Sequence, residues 1–315
     1  MTKIIPLPIE TPFASGYVNA YVIIGKTVTL VDTGNPGKKS FEQLIFQLSK
    51  LDLKLSDLDH IVLTHMHTDH SGGMDLIQQE IRVPVYVHQL AKPLITNVKK
   101  EKKRIEDFFD DFVKLCGANP LKHQSRDKFL QGPWQDVHYL KDGDTVPLGG
   151  KPFKVEYVPG HSQTDLLLWD PETGDTLAGD HLMAELSVNA FIEPPIREGL
   201  DRPKPLLQYR KSLQKVRELP LKQMYPGHGK PFVNHTYFID KKFSEQEKRC
   251  EYITNILSTG EKSIFEICQK LYPQLKGRAI FLGLSQIQGH LDLMETQQKV
   301  ACREQLGINF YRLTK

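Results

Sequence analysis

Cysteine is scarce and scattered. Cys116, Cys250, Cys268 and Cys302 are the only four in 315 residues, and none forms a CxxC pair. A disulfide framework and a structural zinc knuckle are therefore not expected. Long apolar runs are missing as well, since none approaches the roughly 20 residues of a membrane span. The opening "MTKIIPLPIETPF" has one lysine and lacks the apolar run of a signal peptide. An excess of one charge sign is absent too. The 41 Lys and Arg against 38 Asp and Glu leave +3, whereas nucleic-acid proteins often carry a far larger basic excess. Charge thus names no ligand, and a reduced cytoplasmic enzyme is the expectation.

What is present suffices for a large core. Hydrophobic residues make up 39% and charged ones 25%, which excludes global disorder, and the length suits two domains or one with an appendage. "NAYVIIG" and "TVTLVDTG" are β-branched runs ending in glycine, the pattern of a hairpin. "KSFEQLIFQLSKL" places Phe41, Leu44, Ile45 and Leu48 on one helical face. "HIVLTH", "VPVYVH" and "FKVEYVPGH" read as strands, with a helix from Gly73. "DLLLWD" and "DTLAGD" flank the turn "PETG". The Pro-rich connection 194–205 leads to helix "LLQYRKSLQKVREL" and then "KQMYPGHG".

Residues 89–135 break this pattern as a helical, lid-like insertion. Lys99 to Asp111 hold five positive and five negative side chains, the mark of a solvated helix face, while Phe108, Phe109 and Phe112 give it a side to pack down. After about His235 the chemistry-bearing motifs stop. Ser244 with Glu247 and Ser263 with Glu266 read as capping boxes of two helices. A third helix over about 279–295 precedes a hairpin turning at Leu306-Gly307. The division is a catalytic domain over 1–235 and a winged-helix-like domain over 236–315.

"LTHMHTDHSGG" sets His65, His67, Asp69 and His70 within six positions, too dense for one tetrahedral ion. "VPGHS" adds His161, "LAGDH" adds Asp180 and "YPGHG" adds His228, each where a short apolar run meets a glycine loop. Two ions resolve the crowding. His65 and His67 point to one side of an extended segment and can hold one ion with His161. Asp69 and His70, past the turn, can hold a second with His228. Asp180 can give one oxygen to each. Imidazole with carboxylate suits zinc first, with iron, manganese or nickel also plausible. A set without cysteine leaves room for solvent, as catalytic sites do. Bound metal lowers the pKa of water to about 7, so metal-assisted hydrolysis is the reaction class. His60, His88 and His123 read as structural or solvent-facing. His181 either hydrogen-bonds a ligand from behind or simply sits in its loop. Glu185 and Tyr225 can be packing residues.

The order Asp32, "HMHTDH", His161, Asp180, His228 resembles the metallo-β-lactamase-fold hydrolase superfamily over about residues 1–235. The resemblance implies an α/β fold, an αββα sandwich with a di-metal site at one edge. It also implies proton handling by Asp69, and a buried Asp32 that orients the metal loop. True zinc β-lactamases generally carry cysteine or another ligand at the second ion and are usually exported. Asp180 in the bridging place instead resembles glyoxalase II enzymes, acyl thioesterases, lactonases and the RNA-cutting branch. The C-terminal pattern is closer to the β-lactamase-like protein 2 group, whose animal members are described as endoribonucleases, than to glyoxalase II.

Three functions compete. The first is hydrolysis of a small ester-like bond, foremost a thioester, with Asp69 and Asp180 at the chemistry. The second is phosphodiester cleavage by the same ions, or a lactonase. Against a nucleic-acid partner, residues 236–315 hold twelve Lys and Arg to nine Asp and Glu, a small excess for phosphate contacts. The third is a non-catalytic binding protein, which the complete ligand set opposes. A small-molecule substrate and no membrane are expected, and oligomeric state is left open.

Overall fold

The structure, a computed structural model, describes residues 2–12, 16–119, 132–197 and 199–314. Among them, β1 (Lys3–Glu10), β2 (Tyr17–Ile24), β3 (Val28–Val31), β4 (His60–Val62), β5 (Val85–His88) and β6 (Val137–Leu140) form one sheet in that order. A second sheet runs β12 (Phe232–Val233), β11 (Gln223–Pro226), β10 (Asp175–Gly179), β9 (Leu166–Trp169), β8 (Lys151–Tyr157) and β7 (Thr145–Leu148). Both sheets mix parallel and antiparallel pairs.

Alternation along the strands builds the layers, because successive side chains point to opposite faces. Tyr21, Ile23, Val31 and Val62 of the first sheet meet Phe153, Val155, Leu166 and Leu168 of the second in a core between the sheets. The intervening Val22, Leu30 and Ile61 face outward onto helices α1 (Lys38–Ser49) and α3 (Met74–Glu80), through Leu44, Leu48, Met74 and Ile77. Between these helices lies the single turn α2 (Thr68–Ser71). Leu167 and Trp169 of β9 face the other way, onto Tyr209, Leu213 and Val216 of α6 (Pro205–Arg217). The result is the αββα sandwich.

The insertion supplies α4 (Lys92–Thr96) and α5 (Val98–Leu115). Exposed pairs such as Lys103–Asp107 and Lys114–Asp111 line α5, as expected of a solvated face. Its buried side packs Phe112 with Cys116, and Phe109 and Phe112 meet Phe281 edge-on. Residues 120–131 of the insertion, His123 included, lie outside the described residues.

The C-terminal segment has α7 (His235–Leu257), α8 (Ile264–Leu271) and α9 (Ile280–Thr296). A small sheet orders β13 (Lys262–Ser263), β15 (Ile308–Leu313) and β14 (Val300–Gln305). Ile253, Ile264, Ile287 and Tyr311 join the same apolar cluster as Leu167 and Tyr209. Burying each such side chain contributes about 1.5–3 kcal/mol, so this segment is fastened to the sandwich. Leu306 and Gly307 both have positive φ, as the tight turn between β14 and β15 requires.

Two readings need correction. The Ser244–Glu247 box does not open a helix, because α7 already begins at His235 with Asn234 accepting from Tyr237 N at 3.4 Å. Ile239 and Lys242 are buried, so packing of the preceding turns carries the helix through Ser244. The box of Ser263 and Glu266 is present, with bonds of 2.7 and 3.2 Å. Strand β1 went unread because Pro6 and Pro8 interrupt it. It lies at a sheet edge, where missing N–H donors are tolerated.

Candidate metal centre

Parallel strand pairs bring the motif loops together. β3 and β4 pair Val31 with Val62, so Asp32 and the loop from Leu63 to His70 start side by side. β10 and β11 pair in the same sense, which sets Asp180 beside Gly227 and His228. His161 lies in the turn between β8 and β9. Leu166 N donates to Thr64 O at 2.8 Å, and Asn19 N to Gly227 O at 2.7 Å, joining the loops across the two sheets. These loops leave the carboxyl ends of strands, where open α/β sheets place ligands.

Three groups of ligand atoms result. They are His65, His67 and His161; Asp69, His70 and His228; and His65, His70 and Asp180, each with its atoms within 4.8 Å of one another. Asp180 lies between the first two. Its Oδ2 is 3.4 Å from His161 Nε2 and 3.5 Å from His228 Nε2, while Oδ1 is 3.4 Å from His70 Nε2. Asp69 Oδ2 sits 3.3 Å from His228 Nε2.

The far nitrogen of each ring is already engaged. His70 Nδ1 is 2.8 Å from Asp32 Oδ2. His161 Nδ1 donates to Asn189 O at 2.9 Å, and His228 Nδ1 to Tyr17 O at 2.6 Å. His67 turns the other way, with Nε2 3.3 Å from Glu193 Oε1. His65 Nδ1 lies 3.1 Å from Thr64 Oγ1, which itself donates to Asp32 Oδ2 at 2.8 Å. Such partners fix tautomer and ring orientation in metal-ligating histidines.

The inward atoms fit a cation. His65 Nε2, His70 Nε2 and Asp180 Oδ1 are buried with no protein hydrogen-bond partner among the described residues, which is costly for polar atoms unless something else satisfies them. His67 Nδ1 and His161 Nε2 lie 2.8 Å apart. Each far nitrogen faces an acceptor and must carry the proton, so two lone pairs point at one place. Burial, then His67, lowers the His161 pKa to about 4, keeping the ring a neutral donor of electrons. Burial works against the Asp180 anion, but His70, His161 and His228 outweigh it and hold the carboxyl well below the usual range.

Residues 15–228 match the metallo-beta-lactamase superfamily model. The chain belongs to that superfamily. It is similar to a probable metallo-hydrolase, YqjP, of Bacillus subtilis (strain 168), 30% identical over 303 residues, 94% of this chain and 93% of the relative. It is also 24% identical over 238 residues to an atrochrysone carboxyl ACP thioesterase of Aspergillus fumigatus, covering 73% of this chain and 56% of that protein. A metallo-beta-lactamase family protein from Thermus thermophilus, TTHA1429, shares the fold over 99% of this chain and 98% of its own. That match has a TM-score of 0.84 at 23% identity.

The metallo-beta-lactamase fold with this donor set makes the chain a metal-dependent hydrolase, suited to a dinuclear site. All seven residues read from sequence as ligands converge. Asp32 is buried at φ 59° and accepts from Thr64 N at 2.8 Å as well as from Thr64 Oγ1 and His70. His181 is buried against Tyr209, and neither ring nitrogen has a partner among the described residues. His60 bonds Thr29 at 3.0 Å and also meets Pro147 O, while His88 stacks on Tyr157, both away from the ligands. Glu185 is exposed, and Tyr225 packs edge-on against Tyr21. Among the described residues no helix is long and apolar enough to cross a membrane.

Sequence reading missed Glu193, Asn189 and Phe191. Glu193 also accepts from Gln163 N at 2.6 Å, and Phe191 packs edge-on against His67 and His161. Asn189 acts through its backbone oxygen, which no side-chain pattern reveals. The rigid Pro194-Pro195 pair after Glu193 was the available signal.

Proposed function

We propose that this hydrolase cleaves thioesters of small acyl groups, using two divalent ions held by His65, His67 and His161 and by Asp69, His70 and His228. Asp180 spans both groups, and zinc is the first expectation, with iron or manganese as alternatives. One observation carries the reading: among the described residues Asp180 is the carboxylate that reaches both imidazole groups, and the ligand set holds no cysteine. That supports the thioesterase side of the superfamily over the antibiotic-cleaving side, and the fungal relative named as an acyl-carrier thioesterase supports it further.

Bound ions supply Lewis acidity and lower the pKa of a water to about 7. The chain does the rest. In this reading Asp69 takes the proton that water gives up and returns it to the departing sulfur. A C–O bond forms as the C–S bond breaks, and the products are a carboxylic acid and a thiol. The Phe191 ring, 5.1 Å from the His67 ring and 5.3 Å from that of His161, puts an apolar surface beside these histidines, suited to an acyl group. The far-side partners Asp32, Asn189 O, Tyr17 O and Glu193 keep the rings from turning during turnover. The segment after residue 235 we read as winged-helix-like, with a supporting rather than nucleic-acid-binding role.

The test is thiol release from acyl-CoA and acyl-glutathione thioesters, beside a metal-stripped sample. Release that disappears on stripping and returns with zinc or manganese is expected. A protein that holds two metals yet releases no thiol would sink the thioester reading in favour of lactones or RNA.

A further inference from the structure

Residues 186–193 run between the metal centre and the C-terminal segment, and they touch both. On one side Asn189 O accepts from His161 Nδ1, Phe191 packs on the His67 and His161 rings, and Glu193 reaches His67 Nε2. On the other side three groups from the C-terminal helices hold the loop. Ser285 Oγ on α9 accepts from Ile192 N at 2.7 Å and donates to Ala190 O at 3.3 Å. Asn189 Nδ2 donates to Leu282 O at 3.3 Å, and Lys242 Nζ on α7 donates to Leu186 O at 2.7 Å.

We propose that Ser285 is a positioning residue for one metal group and not the other: it sets the loop that aims His161 and His67, while His70 and His228 do not depend on it. The inference rests on the dinuclear reading of the site.

The serine is in an unusual place. It is fully buried on a helix whose neighbouring Leu284, Ile287 and Leu291 are also fully buried. A hydroxyl there costs free energy unless it is hydrogen-bonded, and alanine would have the better helix propensity. A mid-helix serine commonly bonds back to its own helix. Ser285 instead bonds two backbone groups, at Ala190 and Ile192, which flank Phe191. Those bonds bracket the segment between Asn189 and Glu193, whose contacts fix the far nitrogens of His161 and His67. The second group has different supports, since His70 leans on Asp32 after β3 and His228 on Tyr17 O of β2.

Asymmetry is therefore the signature. General loosening of the fold would weaken both groups together, whereas loss of a loop clamp weakens only the three-histidine group. Removing a partner behind a metal ligand typically costs 10–100-fold in metal affinity. Ser285 acts one contact further back, so the low end is expected.

The experiment titrates the full-length apoprotein with Co²⁺, comparing wild type, Ser285→Ala and Asn189→Ala. With Asp180 shared, one group offers three imidazoles and the other two imidazoles and the Asp69 carboxylate, so their cobalt absorptions differ and the two equivalents can be followed separately, with a competing chelator setting the scale. For Ser285→Ala, cobalt at the three-histidine site should bind about tenfold more weakly, with the second site unchanged. Asn189→Ala keeps the backbone oxygen but loses the pin to Leu282, and should give a smaller shift in the same direction. Equal weakening of both sites, or no change at either, overturns the proposal. Should Ser285→Ala fail to fold, the half-buried Asn189→Ala decides by the same criterion. No turnover is measured, so failure of the thioesterase reading leaves this result standing.

Discussion

His70 Nδ1 and Asp32 Oδ2 lie 2.8 Å apart, both buried, and the same carboxylate accepts from Thr64 N and Thr64 Oγ1. One residue thus orients the His70 ring and the backbone entering His65. Asp32→Ala leaves three buried donors unsatisfied and puts alanine at φ 59°. A loss of about 3 kcal/mol or more in urea unfolding is expected, with metal affinity lower by roughly 10–100-fold. Asp32→Asn tolerates the left-handed backbone and should recover part of the stability but less of the metal affinity. Equal metal affinity in wild type and Asp32→Ala would contradict this role.

Gly227 has no room for a side chain. A Cβ there would lie 2.3 Å from Asp180 Oδ1 and 2.6 Å from His70 Cε1. Gly227→Ala must push one of these ligands aside, and misplacement of about 1 Å can cost on the order of 100-fold in rate. The expected result is a folded protein by circular dichroism with less than its full metal content. Retention of both metals and full hydrolase activity would show that the loop adapts.

His290 gives a pH prediction away from the metals. It is buried, its Nδ1 donates to Gln286 O at 2.7 Å, and burial, with Arg249 and Arg210 adding, lowers its pKa to about 4. The native state keeps it neutral while the unfolded chain takes a proton near pH 6.5. Its folded pKa is depressed, so the stabilisation is present above the unfolded pKa and lost as pH falls from about 6.5 toward 4. Between about pH 7 and pH 5 this amounts to about 2 kcal/mol. His290→Gln should flatten the fall in urea stability over that window by this amount. An unchanged slope would mean the ring is not what titrates.

Ser263 tests the fold far from the chemistry. Its Oγ accepts from Glu266 N and its own N–H donates to Glu266 Oε2. Ser263→Ala should cost about 1 kcal/mol, read in chemical denaturation, with metal content unchanged. A loss of metal would tie α8 to the site in a way no contact here explains.

The sequence by itself determined which residues could hold metal, and the order of those motifs implied the sandwich through its resemblance to the superfamily. Histidine and aspartate beside short apolar strands are local signals, and strand alternation is local too, so His65, His67, Asp69, His70, His161, Asp180 and His228 were all legible as candidates, and the fold brings them together. The box at Ser263 was legible for the same reason. The box at Ser244 misled, because packing of Ile239 and Lys242 overrides a local cap signal. Tertiary structure alone decided which atoms stand behind the ligands. Asn189 and Tyr17 contribute backbone oxygens, so their side chains announce nothing. Glu193 and Ser285 gain meaning only when a loop 28–32 residues beyond His161 and a helix of the C-terminal segment fold onto the same edge. Spacing in sequence can say which residues could hold an ion, but the direction each ring faces is set by partners that only the folded chain brings near.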